Sequence, residues 1–269
     1  MAMKAEGSAV VTGASRGIGR AVALELAARG FSVVATMRDL AEAPTLLAEA
    51  RGALTVERLD VTDPSSIQVP DDLRVLVNNA GFQDAYLPVE ALPLGQLRAL
   101  LETNVVGQVA VLQHAIPVLR ERGEGVVCTV TSSSILLASP FYGAYRASKA
   151  AMSMLCETLY VELAPFGIRV VEIVPGPVDT RGLAHSSYLP AVEVAPYRSM
   201  AEQMMAGRGR IKDVMVSPAR AAARIVDTIL DDDAPLKSSC DPMGDAMLET
   251  WRRSTDQELL DRARERYSG

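Results

Sequence analysis

A tyrosine and a lysine four residues apart have the types and spacing to transfer a proton. Tyr145 and Lys149 begin and end the segment YRASK, inside a stretch with a helical pattern. Residues i and i+4 share one face of a helix, so we expect the phenol and the ammonium group to lie close together. A free phenol has a pKa of about 10, and a nearby cation favours the phenolate and lowers that pKa. The pair could exchange a proton with the oxygen of a carbonyl or an alcohol, although a surface tyrosine beside a solvated lysine would show the same spacing.

Two further polar residues strengthen the catalytic interpretation. Ser132 follows the predicted strand Val126–Thr131, and its hydroxyl could hydrogen-bond a substrate oxygen. Ser133 and Ser134 are adjacent, so a shift of one residue stays open. Asn104 lies inside an otherwise apolar helical stretch, where a polar side chain is unfavourable without a partner. Tyr145 and Lys149 are therefore candidate catalytic residues, and the resemblance to a known family of enzymes, which rests on further motifs, implies that Ser132 and Asn104 are catalytic as well.

A glycine-rich turn near the start of the chain could hold a phosphate group. The predicted strand Ser8–Thr12 leads into GASRGIG, and a helical pattern follows at once. Glycines allow the backbone to bend sharply and to approach a pyrophosphate, whose charge the helix N-terminus stabilises. We expect the phosphates to meet the turn formed by Gly13, Ser15, Arg16, Gly17, Ile18 and Gly19.

These residues need a framework of alternating strands and helices. Further strands are predicted at Phe31–Thr36, Leu54–Leu59, Val75–Asn78 and Ile168–Val174. Helical patterns occupy Ile18–Arg29, Ala41–Ala50, Gln96–Arg120, Tyr145–Ala164 and Pro218–Leu230. This alternation predicts an α/β fold of the Rossmann type, a doubly wound parallel sheet of about seven strands with helices on both faces. With no break in composition, we expect a single domain spanning residues 1–269, with a core at 8–180, a variable substrate-binding segment at 181–216 and a helical tail at 244–267.

The turn, the YRASK segment and three other motifs together resemble the short-chain dehydrogenase/reductase superfamily, in its short single-domain form. The segment NNAG ends at Gly81, Asp60 follows the third predicted strand, and PGPVDT ends at Thr180. The stretch 31–40 and the tail from Cys240 are similar to 17β-hydroxysteroid and retinol dehydrogenase-like members. The resemblance implies an oxidoreductase acting on CH–OH groups, in which Lys149 holds the nicotinamide ribose and a water on Asn104 links Lys149 to solvent. It adds these residues to the cofactor site: Asp60, Val61, Asn79, Ala80, Gly81, Tyr145, Lys149, Pro175, Gly176, Val178 and Thr180.

The end of the second strand bears on the choice of cofactor. An acidic residue there would bind the ribose 2′-hydroxyl, but the position is Met37, followed by Arg38. Arg16 and Arg38 together suit a 2′-phosphate, since arginine binds phosphate in a bidentate manner. We therefore predict NADP(H) as the preferred cofactor, with NAD(H) as the alternative because Asp39 is only one residue further on.

The substrate is less well defined by the sequence. We expect the pocket beyond the carboxyl ends of the strands, with an apolar, methionine-rich wall suited to a lipophilic carbonyl or alcohol. Its candidate residues are Phe82, Ser132, Leu136, Phe141, Tyr142, Leu183 and Tyr188. Alternative functions are an NAD-linked secondary-alcohol dehydrogenase, a non-catalytic NADPH-sensing regulator, and a dehydratase or epimerase.

Bulk properties exclude several other classes of protein. The net charge of -6 argues against nucleic acid as a partner, because phosphate backbones require clustered basic residues. Three unpatterned cysteines fit a reducing cytoplasm, and no apolar run approaches the roughly 20 residues that span a bilayer. We expect a cytoplasmic protein with no metal site. The resemblance implies a homodimer or homotetramer.

Overall fold

The computed structural model describes residues 3–84, 86–180 and 188–267. Its strands are β1 (Ser8–Val11), β2 (Ser32–Met37), β3 (Leu54–Arg58), β4 (Leu73–Asn78), β5 (Gly125–Val130), β6 (Ile168–Ile173) and β7 (Lys237–Ser238). Its α-helices are α1 (Gly17–Arg29), α2 (Ala43–Glu49), α3 (Leu94–Leu101), α4 (Gly107–Arg122), α5 (Gly143–Leu163), α6 (Arg198–Gly209), α7 (Pro218–Leu230), α8 (Pro242–Arg253) and α9 (Asp256–Tyr267).

The strands form one seven-stranded parallel sheet in the order β3-β2-β1-β4-β5-β6-β7. Every strand pair is parallel, and the sheet reverses its direction of growth between β1 and β4. The predicted Rossmann-type fold is therefore confirmed, and the strand boundaries differ from the predicted ones by at most two residues.

Alternate residues of each strand face opposite sides of the sheet. In β1, Ala9 and Val11 join one buried apolar cluster, whereas Val10 joins the other. Because both faces are covered, the strands are apolar without alternation, as buried parallel strands usually are. The crossover between β3 and β4 is short and contains only a 3₁₀ turn at Pro64–Ser66.

The long helix predicted at Gln96–Arg120 is interrupted. A π-helical turn at Glu102–Val106 separates α3 from α4, and it contains Asn104. Gly107 then packs so closely on Val61 that an added Cβ would lie 2.7 Å from its side chain. Single π turns are frequent at functional sites. Here the turn accompanies an asparagine whose side chain is held by another loop, as described below.

The C-terminal region also differs from a single helix. Its two helices, α8 and α9, are separated at Ser254 and Thr255. Asp241 caps α8 by accepting a hydrogen bond from the Gly244 amide at 2.8 Å. No helix among the described residues is long and apolar enough to cross a membrane.

Candidate active site

The glycine-rich turn lies at the carboxyl end of β1, where the backbone needs residues without side chains. Gly13 and Gly17 have φ values of +69° and +60°, a region that favours glycine. A Cβ on Gly13 would lie 2.9 Å from Ala80 Cα, and one on Gly17 would lie 3.2 Å from Thr180. The turn can therefore approach both neighbouring loops closely. The N-terminus of α1 then faces the space between these two loops.

Two polar side chains hold the turn against the end of β4. The Thr12 hydroxyl accepts hydrogen bonds from the Asn79 and Ala80 amides, each at 3.0 Å. The Asn79 side-chain amide donates to the Thr12 carbonyl at 2.9 Å and to the Gly13 carbonyl at 3.3 Å. These bonds fix the relative positions of the two segments that form the floor of the cleft.

A cleft of about 410 Å³ runs along the carboxyl ends of the strands. It brings together all of the residues predicted to bind the cofactor except Asp60. The sequence did not predict six further residues that line it: Met37, Leu59, Gln83, Thr103, Val130 and Thr131. The only indication of these residues in the sequence was their position at the end of a predicted strand or beside a predicted site residue. The volume lies within the usual range for small-molecule sites.

Asp60 lies beside this cleft and is engaged locally. Its carboxylate accepts from the Thr62 amide at 3.0 Å and from the Thr62 hydroxyl at 2.8 Å. Burial opposes ionisation, but the bonds from Thr62 and the charges of Arg38 and Arg58 outweigh it and lower the pKa of Asp60. In this structure the Asp60 carboxylate therefore orders the turn from Asp60 to Thr62. The residues on either side of Asp60, Leu59 and Val61, line the cleft.

Ser132 and Tyr145 both line the cleft. The Ser132 hydroxyl accepts from the Ser134 amide at 3.2 Å. Among the described residues, the buried Ser134 hydroxyl has no hydrogen-bond partner, and neither Ser133 nor Ser134 lines the cleft. Of the three consecutive serines, Ser132 is therefore the one that shares the cleft with Tyr145.

Lys149 lies one helical turn after Tyr145 and is almost fully buried. Its Nζ donates to the Val130 carbonyl at 2.9 Å and lies 5.9 Å from the centre of the Tyr145 ring. Burial lowers the pKa of Lys149 to about 8 and raises the pKa of Tyr145 to about 12. The expected closeness of the two side chains is confirmed, but the expected lowering of the Tyr145 pKa is wrong in this structure. The cost of burying a phenolate makes the largest contribution to the raised pKa of Tyr145. The Lys149 ammonium group is bonded to the Val130 carbonyl and not to the phenol.

Asn104 is fully buried and holds the loop that follows β4. Its Oδ1 accepts from the Phe82 amide at 2.9 Å, and its Nδ2 donates to the Phe82 carbonyl at 2.9 Å. Nδ2 also donates to the Ser148 hydroxyl at 3.0 Å, which connects the loop to α5. A Cβ on Gly81 would lie 2.9 Å from Asn104 Oδ1, so this position requires glycine. The partner expected for this asparagine is thus a protein loop, and the water relay stays a prediction.

Two arginines line the end of the cleft nearest β2. Arg16 and Arg38 are both exposed there, and Met37, the last residue of β2, also lines the cleft. The Asp39 carboxylate makes a local hydrogen bond: it accepts from the Ala41 amide at 2.9 Å and so caps a short 3₁₀ turn. This end of the cleft therefore presents guanidinium groups and no carboxylate from Asp39.

The loop after β6 closes the opposite side of the cleft. Pro175, Gly176, Val178 and Thr180 all line it. The Gly176 amide donates to the buried carboxylate of Asp241 at 2.6 Å. Asp241 therefore holds the loop, a role that we did not predict, although aspartate followed by proline is a recognisable helix start.

The predicted substrate residues are not all brought together. Phe82 and Ser132 line the cleft. Leu136 is buried in a separate apolar cluster with Val174 and Leu248. Tyr188 is 53% exposed and donates to Glu193 at 2.7 Å. Leu183 lies outside the described residues.

Phe141 and Tyr142 belong to an aromatic cluster between α5 and α6. This cluster also contains Tyr86, Leu189, Tyr197, Met200, Met204 and Met205. The Arg208 guanidinium lies 4.6 Å from the Tyr86 ring centre and donates to the Tyr142 hydroxyl at 2.6 Å. The apolar, methionine-rich residues of the segment 188–208 thus pack with the residues just before α5. Tyr142 is three residues before Tyr145 along the chain, but none of the cluster residues named here lines the cleft, so their part in a substrate-binding wall stays a prediction.

Comparison with known proteins identifies the class that this fold and cleft define. The model of the short chain dehydrogenase family matches residues 8–187, and the chain belongs to this family of oxidoreductases. Human 17-beta-hydroxysteroid dehydrogenase type 1 is 39% identical over 186 residues, which cover 64% of this chain and 56% of that protein. Human retinol dehydrogenase 8 is 35% identical over 183 residues, covering 64% and 58%.

The resemblance to steroid and retinol dehydrogenases is therefore confirmed, although the match spans little more than half the length of these relatives. Among solved structures, a short chain dehydrogenase/reductase from Burkholderia phymatum in complex with NAD is similar. It superposes with a TM-score of 0.78 at 25% identity, and the match covers 96% of both chains.

Proposed function

We propose that this chain is an NADP(H)-dependent oxidoreductase that interconverts a lipophilic ketone or aldehyde and its alcohol, with Tyr145 as general acid and base. The observation that carries the proposal is that Ser132, Tyr145 and Lys149 line the same cleft as the glycine-rich turn before α1. Two hydroxyl groups in one cleft suit the oxygen of a carbonyl or an alcohol.

The residues around the cleft fit a dinucleotide. The turn lacks side chains where a pyrophosphate would approach, and the helix dipole of α1 favours negative charge at that point. A bound nicotinamide would supply or accept the hydride at the substrate carbon. Asn79, Gly176 and Thr180 would form the walls around it, and Lys149 would hold its ribose.

In the reductive direction Tyr145 would be the proton donor. Burial raises the pKa of Tyr145 to about 12, so its hydroxyl carries a proton at neutral pH. Ser132 would orient the substrate oxygen and share the negative charge that develops on it. Lys149, beneath the tyrosine, would stabilise the phenolate that is left, because a nearby cation favours the charged form.

The cofactor preference rests on Arg16 and Arg38. Both line the cleft, and Asp39, the acidic alternative, caps a turn with its carboxylate. A 2′-phosphate would receive charge-assisted hydrogen bonds from the two guanidinium groups. NAD(H) is the alternative cofactor, and the similar structure from Burkholderia phymatum contains NAD. With NAD, the chain would work as a secondary-alcohol dehydrogenase.

The substrate class follows from the apolar surroundings of the cleft. Phe82 lines it, and the cluster of Phe141, Tyr142 and three methionines lies next to Tyr145 along the chain. Methionines adapt to irregular apolar shapes, which suits a bulky lipophilic molecule. The names of the relatives, a steroid and a retinol dehydrogenase, agree with this class.

The test is oxidation of NADPH, followed by its absorbance, with a panel of steroid, retinoid and aliphatic ketones and aldehydes. We expect turnover that Tyr145→Phe lowers by about 10²-fold or more, since general acid catalysis typically contributes 10²–10⁴-fold. Tyr160→Phe is the matched control, because Tyr160 lies on the same helix, outside the cleft, and is 51% exposed. Full activity of Tyr145→Phe would show that the proposal is wrong.

The same assay separates the alternatives. Turnover only with NAD⁺ and secondary alcohols would favour the NAD-linked dehydrogenase. Thermal stabilisation by NADPH with no turnover of any substrate would favour a sensor that binds the cofactor without catalysis.

A further inference from the structure

A fully buried carboxylate lies under the catalytic residues and outside the cleft. Glu172 is on β6 and is 0% exposed. Its neighbour in the sheet register is Lys237 of β7, also buried, with Nζ 3.4 Å from Glu172 Oε2. A buried charge in this position is unfavourable unless it is paired and hydrogen-bonded. The contacts of the Glu172 carboxylate therefore indicate its structural role.

Both oxygens of Glu172 accept hydrogen bonds from elements that carry the site. The Thr131 hydroxyl donates to Oε1 at 2.6 Å. The Ser153 hydroxyl donates to Oε2 at 3.0 Å, and Lys237 in turn donates to the Ser153 hydroxyl at 3.0 Å. The carboxylate therefore has three protein partners, two of which are hydroxyl groups from a strand end and a helix.

These two hydroxyl groups lie next to the catalytic residues along the chain. Thr131 immediately precedes Ser132, and Ser153 lies one helical turn after Lys149 on α5. On the same side, Lys149 Nζ donates to the Val130 carbonyl. A single carboxylate thus joins the end of β5, which carries Ser132, to the helix that carries Tyr145 and Lys149.

We propose that Glu172 is a positioning residue for this site. It fixes the end of β5 against α5 and so sets the geometry of the Ser132 and Tyr145 hydroxyls. The inference rests on the proposed function for the roles of Ser132 and Tyr145, and it assigns to Glu172 a share in that function.

The charge of Glu172 acts among few other ionisable groups. Those facing it are Lys149, Cys156 and Glu157 of α5 and Lys237 of β7, while Arg252 of α8 donates to the Lys237 carbonyl. Burial lowers the pKa of Lys149 to about 8, and the negative charge of Glu172 opposes this lowering. Loss of the Glu172 charge should therefore lower the pKa of Lys149 further, which loss of a purely structural contact would not do.

The chain offers a matched control in Glu157. This residue also lies 3.4 Å from Lys237 Nζ, but its side chain is 48% exposed. Glu172→Gln and Glu157→Gln each remove one carboxylate charge from the same lysine. Only the first removes the charge that bonds to Thr131 and Ser153.

The experiment is direct titration of the lysine side chains by ¹³C NMR of Cε, which is practicable because the chain has four lysines. The Lys149 signal is assigned by its loss in Lys149→Met. We expect Glu172→Gln to lower the pKa of Lys149 by about half a unit or more, through loss of a nearby opposite charge. We also expect kcat to fall about tenfold and the high-pH limb of its profile to move in parallel. Glu157→Gln should leave both the pKa and the profile unchanged.

A second variant covers the case in which Glu172→Gln does not fold. The double substitution Glu172→Met with Lys237→Met replaces the buried pair with apolar side chains, an exchange that proteins often tolerate. Its Lys149 pKa is compared with that of Lys237→Met alone, so that loss of the Lys237 cation cancels, and the comparison should show the same fall in the Lys149 pKa. An unchanged Lys149 pKa in the folded variant would overturn the inference. Absence of turnover in the unsubstituted protein would instead contradict the proposed function, and the NMR titration would still decide the role of Glu172.

Discussion

Lys149 lies beneath the ring of Tyr145 and does not bond to its hydroxyl group. Nζ is 5.9 Å from the ring centre and donates to the Val130 carbonyl at 2.9 Å. The phenol shares the cleft with Ser132, and burial raises the pKa of Tyr145 to about 12. In the proposed reaction the protonated tyrosine would donate its proton, and the lysine near its ring would supply charge.

The first prediction concerns pH. Burial lowers the pKa of Lys149 to about 8, so its charge is present below that pH and is lost as the pH rises through it. If this charge stabilises the phenolate left by proton donation, ketone reduction should be constant from about pH 6 to 7.5. At pH values well above the pKa of Lys149, the rate of ketone reduction should fall about tenfold for each further pH unit. Initial rates at saturating NADPH measure the profile.

Lys149→Arg is the informative variant for this profile, because a guanidinium group keeps its charge throughout the range. A folded Lys149→Arg protein should retain its residual rate beyond pH 9. A flat profile for the unsubstituted protein up to pH 9.5 would show that Lys149 does not control turnover.

The second prediction concerns cofactor choice. Arg38→Asp should raise the KM for NADPH by at least about tenfold, because it replaces a charge-assisted hydrogen bond with repulsion of the 2′-phosphate. The KM for NADH should fall or stay constant. Comparison of kcat/KM for the two cofactors measures the change.

Asp39→Ala provides the control for Arg38→Asp. The Asp39 carboxylate caps a turn, so its loss should cost up to about 1 kcal/mol of stability without changing cofactor preference. A switch towards NADPH in Asp39→Ala would mean that this aspartate, and not the arginine pair, determines the choice.

Features encoded by local pattern could be predicted from the sequence. Three such features are the apolar strands, the glycine turn and the i to i+4 spacing of Tyr145 and Lys149, all of which depend on residues close together in the sequence. Predictions from these features identified most of the residues that line the cleft. The Tyr145 pKa could not be predicted, because its direction depends on how deeply the phenol is buried and on which group Lys149 bonds. Glu172 is a comparable case, since one charge within a strand has no local signature and its partners come from three other elements.

The third prediction concerns self-association. Met154 and Val161 lie seven residues apart on α5, so they share a face of that helix, and they are 55% and 72% exposed. Exposed apolar faces of this kind often lie in interfaces, which agrees with the expected homodimer or homotetramer. Val161→Arg should shift the molar mass measured by light scattering towards the monomer of 28.7 kDa. Leu260→Arg, at a 53% exposed site on α9, should not. A monomeric unsubstituted protein at micromolar concentration would contradict the prediction.

The fourth prediction concerns Asp241, which joins the cleft to the C-terminal region. Its fully buried carboxylate accepts from the Gly176 amide at 2.6 Å and from the Gly244 amide at 2.8 Å. Asp241→Ala leaves two amides without these partners, so we expect a loss of about 2–4 kcal/mol in the free energy of unfolding. Because Gly176 lines the cleft, the KM for NADPH should rise more than the KM for the ketone.

Urea denaturation and steady-state kinetics measure the two effects of Asp241→Ala. Asp233→Ala is the control, since Asp233 is exposed and its removal should change stability by no more than about 0.5 kcal/mol. Unchanged stability of Asp241→Ala would mean that other bonds, such as that from the Ser133 amide to the Pro175 carbonyl at 2.9 Å, are sufficient to hold the loop. A stability loss without a change in the KM for NADPH would separate the two roles, because Asp241 would then cap α8 without shaping the cofactor cleft.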